Sequence, residues 1–150
     1  MSAQPLRDIL LIEDNPDDAE LTTMALQRHN LANRLVVATD GADALDLLIG
    51  EHATPFAFVM LDLKLPKVPG QHVLKRVRAD PRARTLPVIV LTSSSQQEDI
   101  IDSYNNGANS YVRKPVDFDE FANAVAQLGL YWAILNEIPD RTGGRITAIS

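Results

Sequence analysis

Five side chains stand where chemistry could gather: the adjacent acids Glu13 and Asp14, then Asp62, Thr92 and Lys114. Four of them directly follow a short apolar run, Ile9 to Ile12 before the acid pair, Phe56 to Leu61 before Asp62 and Val88 to Leu91 before Thr92, and Lys114 comes just after Tyr111-Val112. Bringing three carboxylates together is costly, since two unit charges about 4 Å apart repel by roughly 4 kcal/mol at an effective dielectric near 20. A hard divalent cation removes that cost, and magnesium favours a few carboxylates with several waters retained. Lys114 adds a further positive charge. A metal and a lysine around one carboxylate suit an incoming phosphoryl group, because catalysis of its transfer is chiefly positioning and charge stabilisation.

Each residue also has a plainer role. Asp62 could be a solvated turn former. Acids before a helix are often only partners of its dipole, and this accounts well for Asp17 and Asp18 in a first turn. Thr92 could be a helix-leading hydroxyl like Ser93, Ser94 and Ser95, and Lys114-Pro115 simple loop residues. The choice depends on whether the intervening elements bring the five groups to one place.

Unbroken runs rich in Val, Ile, Leu and Phe suit strands buried on both faces. Leu35 to Ala38 and Tyr111 to Val112 are two weaker candidates, which makes five. Helical patterns lie between them. Asn15 can cap a helix with Pro16 at its first position, running to about His29. Gly41 to Ile49 and Gln71 to Ala79 follow; Ser95 with Glu98 has capping-box spacing and Asn106-Gly107 a stop signal. Asp117 with Glu120 opens a last helix reaching Pro139. The alternation predicts an α/β fold, a doubly wound five-stranded parallel sheet with five helices. In such sheets functional residues gather at the carboxyl ends of the strands, beside the switch in strand order. Glu13, Asp14, Asp62, Thr92 and Lys114 then share one rim.

Composition bounds the remaining classes. With 150 residues, 45% hydrophobic and 23% charged, the chain fits one globular domain. There is no cysteine, which excludes disulfides, thiolate metal sites and cysteine nucleophiles. The start Met1 to Asp8 lacks the apolar core of a signal peptide, and the longest apolar run, Leu128 to Leu135, is far short of the roughly 18 residues of a membrane span. A cytoplasmic location without membrane contact is expected. The net charge of -6 and pI near 4.9 argue against a nucleic-acid surface, which needs clustered Lys and Arg; Arg82 and Arg84 do not make a patch.

With these residues in view, the chain resembles the receiver domains of bacterial response regulators, of the chemotaxis-regulator type, from about Asp8 to Asn136. The residues that carry the resemblance are Glu13-Asp14, Asp62, Leu65-Pro66 with Gly70, Leu91-Thr92-Ser93, Gly107-Ala108 and Lys114-Pro115, in family order. The resemblance implies a flavodoxin-like receiver over residues 1–138 with an extension at 139–150. It implies that Asp62 is the phosphoacceptor in a magnesium-dependent reaction. Asp14, Asp62 and the main-chain carbonyl of Lys64 would bind the metal, with Glu13 supporting through water. Thr92 and Lys114 would bind the phosphoryl oxygens, and Thr92 with Tyr111 would form the switch; by its residues alone, Tyr111 could equally be a half-buried strand aromatic. Such a protein catalyses only its own phosphorylation and dephosphorylation and is not an enzyme acting on outside substrates. Many receivers place a smaller or neutral polar residue at the position of Lys64, a departure that bears on the lifetime of the phosphorylated state.

A narrower similarity rests on Glu13-Asp14-Asn15-Pro16-Asp17-Asp18, Leu61-Asp62-Leu63-Lys64-Leu65-Pro66-Lys67, Gly107-Ala108-Asn109-Ser110-Tyr111 and Leu130-Tyr131-Trp132. These look like stand-alone regulators that partner phytochrome-type histidine kinases. The partner implied is a sensor kinase of bacteriophytochrome type, and signalling without an output domain would act through altered protein–protein binding. On the last helix, Phe118, Phe121, Ala122, Val125, Leu128 and Trp132 form one stripe suited to the sheet. Tyr131, Ile134 and Ile138 point elsewhere, and Ile146 and Ile149 follow in the tail. The tail could fold back over its own helix, but monomers rarely leave large apolar patches exposed, and a homodimer through this helix and the extension is expected.

Three competing readings are weighed. A haloacid-dehalogenase-like phosphatase needs a second Asp two residues after its nucleophile as general acid and base, and Lys64 stands there. A non-phosphorylated binding module of receiver fold would lack the acids or Lys114. A dinucleotide-binding domain needs a glycine-rich loop where Asp14-Asn15-Pro16-Asp17-Asp18 follows the first strand.

Overall fold

A computed structural model of the chain describes residues 7–28, 33–93 and 96–114. In order, the elements are β1 (Asp8–Ile12), α1 (Pro16–Arg28), β2 (Leu35–Ala38), α2 (Gly41–Ile49), β3 (Phe56–Leu61), α3 (Gly70–Ala79), β4 (Val88–Thr92), α4 (Gln97–Asn105) and β5 (Ser110–Arg113). The five expected strands and four of the five expected helices are present among the described residues. The fifth helix, with its sheet-facing stripe and its dimer face, and the extension lie outside them. No helix of the described residues is long and apolar enough to cross a membrane.

The strands form one parallel sheet in the order β2-β1-β3-β4-β5. The order turns between β1 and β3, so the crevice for a ligand opens at the carboxyl ends of those two strands. Successive strand residues point to opposite faces, and here both faces are covered. Leu10, Ile12, Val59, Leu61, Val88 and Val90 pack with Ala44 and Leu48 of α2 and Val73, Leu74 and Val77 of α3. Ile9, Leu11, Phe58, Met60, Ile89 and Leu91 pack on the other side with Leu26 and Ala19 of α1. Burial on both faces is the reason these strands read as unbroken apolar runs.

Local capping fixes where helices begin relative to the rim. Asn15 Oδ1 accepts from the backbone N–H groups of Asp17 (2.9 Å) and Asp18 (3.2 Å), as Pro16 at the first helical position predicts. Asp40 caps α2 by accepting from Asp43 N–H at 2.7 Å. The end of α4 is a Schellman motif: Gly107 N–H donates to Tyr104 O, Ala108 N–H to Ser103 O, and Gly107 sits at φ +104°. The start of α4 differs from expectation. The cap is Gln96, not Ser95, so Glu98 is one residue too early for a capping box; the Gln96 side chain makes no capping bond, and its carbonyl accepts from Asp99 and Ile100 N–H.

Candidate active site

The sheet places the main chain of each site residue through a neighbouring strand. Glu13 N–H donates to Ala38 O at 2.9 Å, Asp62 N–H to Ile12 O at 3.0 Å, and Lys114 N–H to Thr92 O. Behind Asp62 the start of α3 presses close, with Gly70 N–H donating to Leu63 O at 3.0 Å. On the far side of the same connection Lys67, at φ +68°, reaches Asp40 Oδ2 at 3.3 Å and Gly41 N–H donates to Pro66 O. The β3–α3 connection is thus tied to the starts of α2 and α3.

The side chains converge on Lys114. Its Nζ donates to Glu13 Oε1 at 2.5 Å, Asp18 Oδ2 at 3.0 Å and Asp62 Oδ2 at 3.4 Å. Asp62 uses its second oxygen to accept from Lys64 N–H at 3.0 Å, and Glu13 Oε2 accepts from Asn15 N–H at 3.3 Å. The Glu13 side chain is only 1% exposed, that of Asp62 10% and that of Lys114 12%. Burial, the largest influence, pushes the Glu13 carboxyl up to about 7; the Lys114 hydrogen bond opposes this, and Asp62 beside it adds to the rise. Burial acts most strongly on Lys114 too, pulling it down, yet its bonds to Glu13 and Asp18 and the charge of Asp62 hold it above the usual lysine range.

One carboxylate oxygen each from Glu13, Asp14 and Asp62 lies within 4.8 Å of the others, with Glu13 and Asp62 buried and Asp14 exposed. Three hard oxygen donors, one of them open to water, fit a small divalent cation that keeps part of its hydration. Thr92 is fully buried at the end of β4, in register with Arg113. Tyr111 pairs with Val90 and is half-buried against the core on the α3 side. Lys64 brings its main chain to Asp62 while its side chain is exposed. The expected rim is therefore assembled, with one addition that the sequence reading missed: Asp18, assigned there to the helix dipole alone, is a partner of Lys114.

The model of the response regulator receiver domain matches residues 9–126. The chain belongs to that family. Among curated relatives, a probable methanogenesis regulatory protein, FilR2 of Methanothrix harundinacea (strain 6Ac), is 38% identical over 135 residues, which are 87% of this chain and 86% of the relative. Among solved structures, the bacteriophytochrome response regulator RtBRR is 47% identical with a TM-score of 0.73, covering 90% of this chain and 85% of that one. The Mn(2+)-bound form of response regulator Rcp1 is 29% identical with a TM-score of 0.78, covering 89% and 99%. The flavodoxin-like receiver fold and the likeness to phytochrome response regulators, both expected from the sequence, are borne out. For this receiver the comparisons also fit a divalent metal at the acidic cluster and a histidine kinase as the kind of partner.

Proposed function

We propose that this receiver accepts a phosphoryl group on Asp62 from a phytochrome-type sensor histidine kinase, with magnesium at Asp14, Asp62 and the Lys64 carbonyl and Glu13 supporting it through water. The observation that carries this is the Lys114 ammonium 3.4 Å from Asp62 Oδ2, at the strand end beside the switch in strand order. Glu13 and Asp62 both belong to the carboxylate cluster and touch the lysine. Of the two, Asp62 is the more open, with 10% of its side chain exposed against 1% for Glu13, so its oxygen can meet a donor while positive charge stands on two sides. Bound at the cluster, magnesium supplies charge that offsets both the carboxylates and the phosphoryl oxygens. Lys114 donates to a phosphoryl oxygen, and the Thr92 hydroxyl to another. Lys64, standing where a phosphatase would need an acid, leaves turnover on outside substrates without its general acid and base. Thr92 and Tyr111, on adjacent strands, couple the site to α4 and β5, so the signal leaves as changed protein binding. The protein acts as a homodimer through its last helix and the 139–150 extension.

The test is a small-molecule phosphodonor with magnesium, read by intact mass. One added phosphoryl group is expected on the native chain and none on Asp62→Asn; equal labelling of that variant would sink the assignment.

A further inference from the structure

An ammonium group has three N–H donors, and Lys114 directs them at Glu13, Asp18 and Asp62. Two of those acids, Glu13 and Asp62, also belong to the oxygen cluster suited to a cation, whereas Asp18 does not. Asp18 is also the most exposed of the four side chains, at 37% against 12% for Lys114, so it holds the ammonium from the solvent side. Its own place is fixed by the start of α1. Its N–H donates to Asn15 Oδ1 at 3.2 Å, and its carbonyl accepts from Thr22 Oγ1 at 3.0 Å.

We infer that Asp18 is a positioning residue for phosphoryl transfer, holding Lys114 so that one N–H stays aimed at Asp62. The lysine is tethered through its backbone to Thr92 O, but its four-carbon stem is flexible. Asp18 and Glu13 take two of its donors at 3.0 and 2.5 Å, and the third meets Asp62 Oδ2 over the longest distance, 3.4 Å. That third donor is the one an incoming phosphoryl oxygen can claim with least movement. When Glu13 and Asp62 are drawn on by other positive charge, Asp18 is the carboxylate left to keep the direction. This rests on the proposed phosphorylation of Asp62, and its test has an arm independent of that reading.

The experiment compares the native chain with Asp18→Ala, Asp18→Asn and Asp18→Glu, all with magnesium. In nitrogen-15 spectra of the lysine side chains, without any phosphodonor, the Lys114 ammonium signal is expected to be protected from exchange in the native chain and Asp18→Glu, and lost in Asp18→Ala. With saturating small phosphodonor, Asp18→Ala is expected to be labelled roughly tenfold more slowly. Asp18→Asn, which keeps an acceptor, should fall between, and Asp18→Glu should recover most of the rate. The donor concentration giving half the maximal rate should stay unchanged. Faster labelling of both Ala and Asn variants would mean that Asp18 only repels an anionic donor, and would overturn the inference, as would unchanged rates with an unchanged lysine spectrum. A native chain that takes no label refutes the phosphorylation reading instead, and the lysine spectrum still decides whether Asp18 holds Lys114.

Discussion

Replacing Gly70 by Ala should damage the phosphoacceptor site although the substitution is, on an open helix, a favourable one. Glycine costs about 1 kcal/mol relative to alanine in a helix interior, and at the first residue of α3 Gly70→Ala in a roomy setting would gain part of that. Here the added methyl would sit 2.6 Å from Asp62 O and 2.6 Å from Leu63 Cα, where ordinary contact starts at 3.4 Å. Both neighbours are main chain, so relief requires the backbone of the β3–α3 connection to retreat by about 0.8 Å. Overpacking of this kind costs roughly 1 to 3 kcal/mol. The same shift moves the atoms that carry the Asp62 carboxylate, and a misplacement near 1 Å costs up to about 10²-fold in a positioned reaction. Urea unfolding of Gly70→Ala should therefore show a lower midpoint with an unchanged slope, and phosphodonor labelling of the folded variant should be slower by roughly ten- to a hundredfold. A variant equally or more stable and labelled at the native rate would refute the claim that α3 braces Asp62 through this contact.

Two further predictions concern charge and assembly. Glu13 has a folded value of about 7 against 4.5 for the free group, so between these pH values the folded chain keeps a proton that the unfolded chain has lost; its contribution, on the order of 3 kcal/mol, is fully present below about pH 4.5 and is lost as pH rises through 7. Urea unfolding with chelator across this range should show a decline for the native chain that Glu13→Gln lacks, and parallel curves for the two would contradict it. For the homodimer, sedimentation equilibrium over a concentration series, with and without residues 140–150, should show association that the truncation weakens; a full-length chain monomeric at high micromolar concentration, phosphorylated or not, refutes it.

The sheet was legible because a parallel strand covered on both faces must be apolar throughout, and Phe56 to Leu61 meets that condition in all six residues. Where a strand lies at an edge the signal weakens. β5 extends one residue beyond Tyr111-Val112 on each side, since Ser110 and Arg113 join through backbone register with Ile89 and Thr92, which side-chain type does not report. Asp8 likewise enters β1 as a polar residue, paired with Arg34 at 2.6 Å. The rim residues were legible because topology delivers every strand end to one side. Contacts made by helices across the fold were not. Arg78, on the last turn of α3, donates to the carbonyls of Ala83, Arg84 and Gly107 and to Asn109 Oδ1, fastening two loops with one guanidinium, and nothing in its neighbours along the chain distinguishes it from Arg76. The pairing of Asp18 with Lys114 spans 96 residues and joins the first turn of α1 to the residue that follows β5.

That pairing also explains an imbalance in the site. Among the described residues, four carboxylates gather at the site, Glu13, Asp18 and Asp62 on the Lys114 ammonium and Asp14 beside Glu13 and Asp62. Lys114 can offset only one of them. Part of the excess shows in Glu13, the most buried of the acids, which answers burial and the charge of Asp62 by holding its proton to about pH 7. An anionic donor approaching Asp62 would meet this net negative rim, so further positive charge is a condition for approach as well as for chemistry. The arrangement therefore divides the work between two kinds of carboxylate: Glu13, Asp14 and Asp62 concentrate negative charge where a cation can answer it, and Asp18, outside that cluster, reserves Lys114 for the face of Asp62 that the donor must reach.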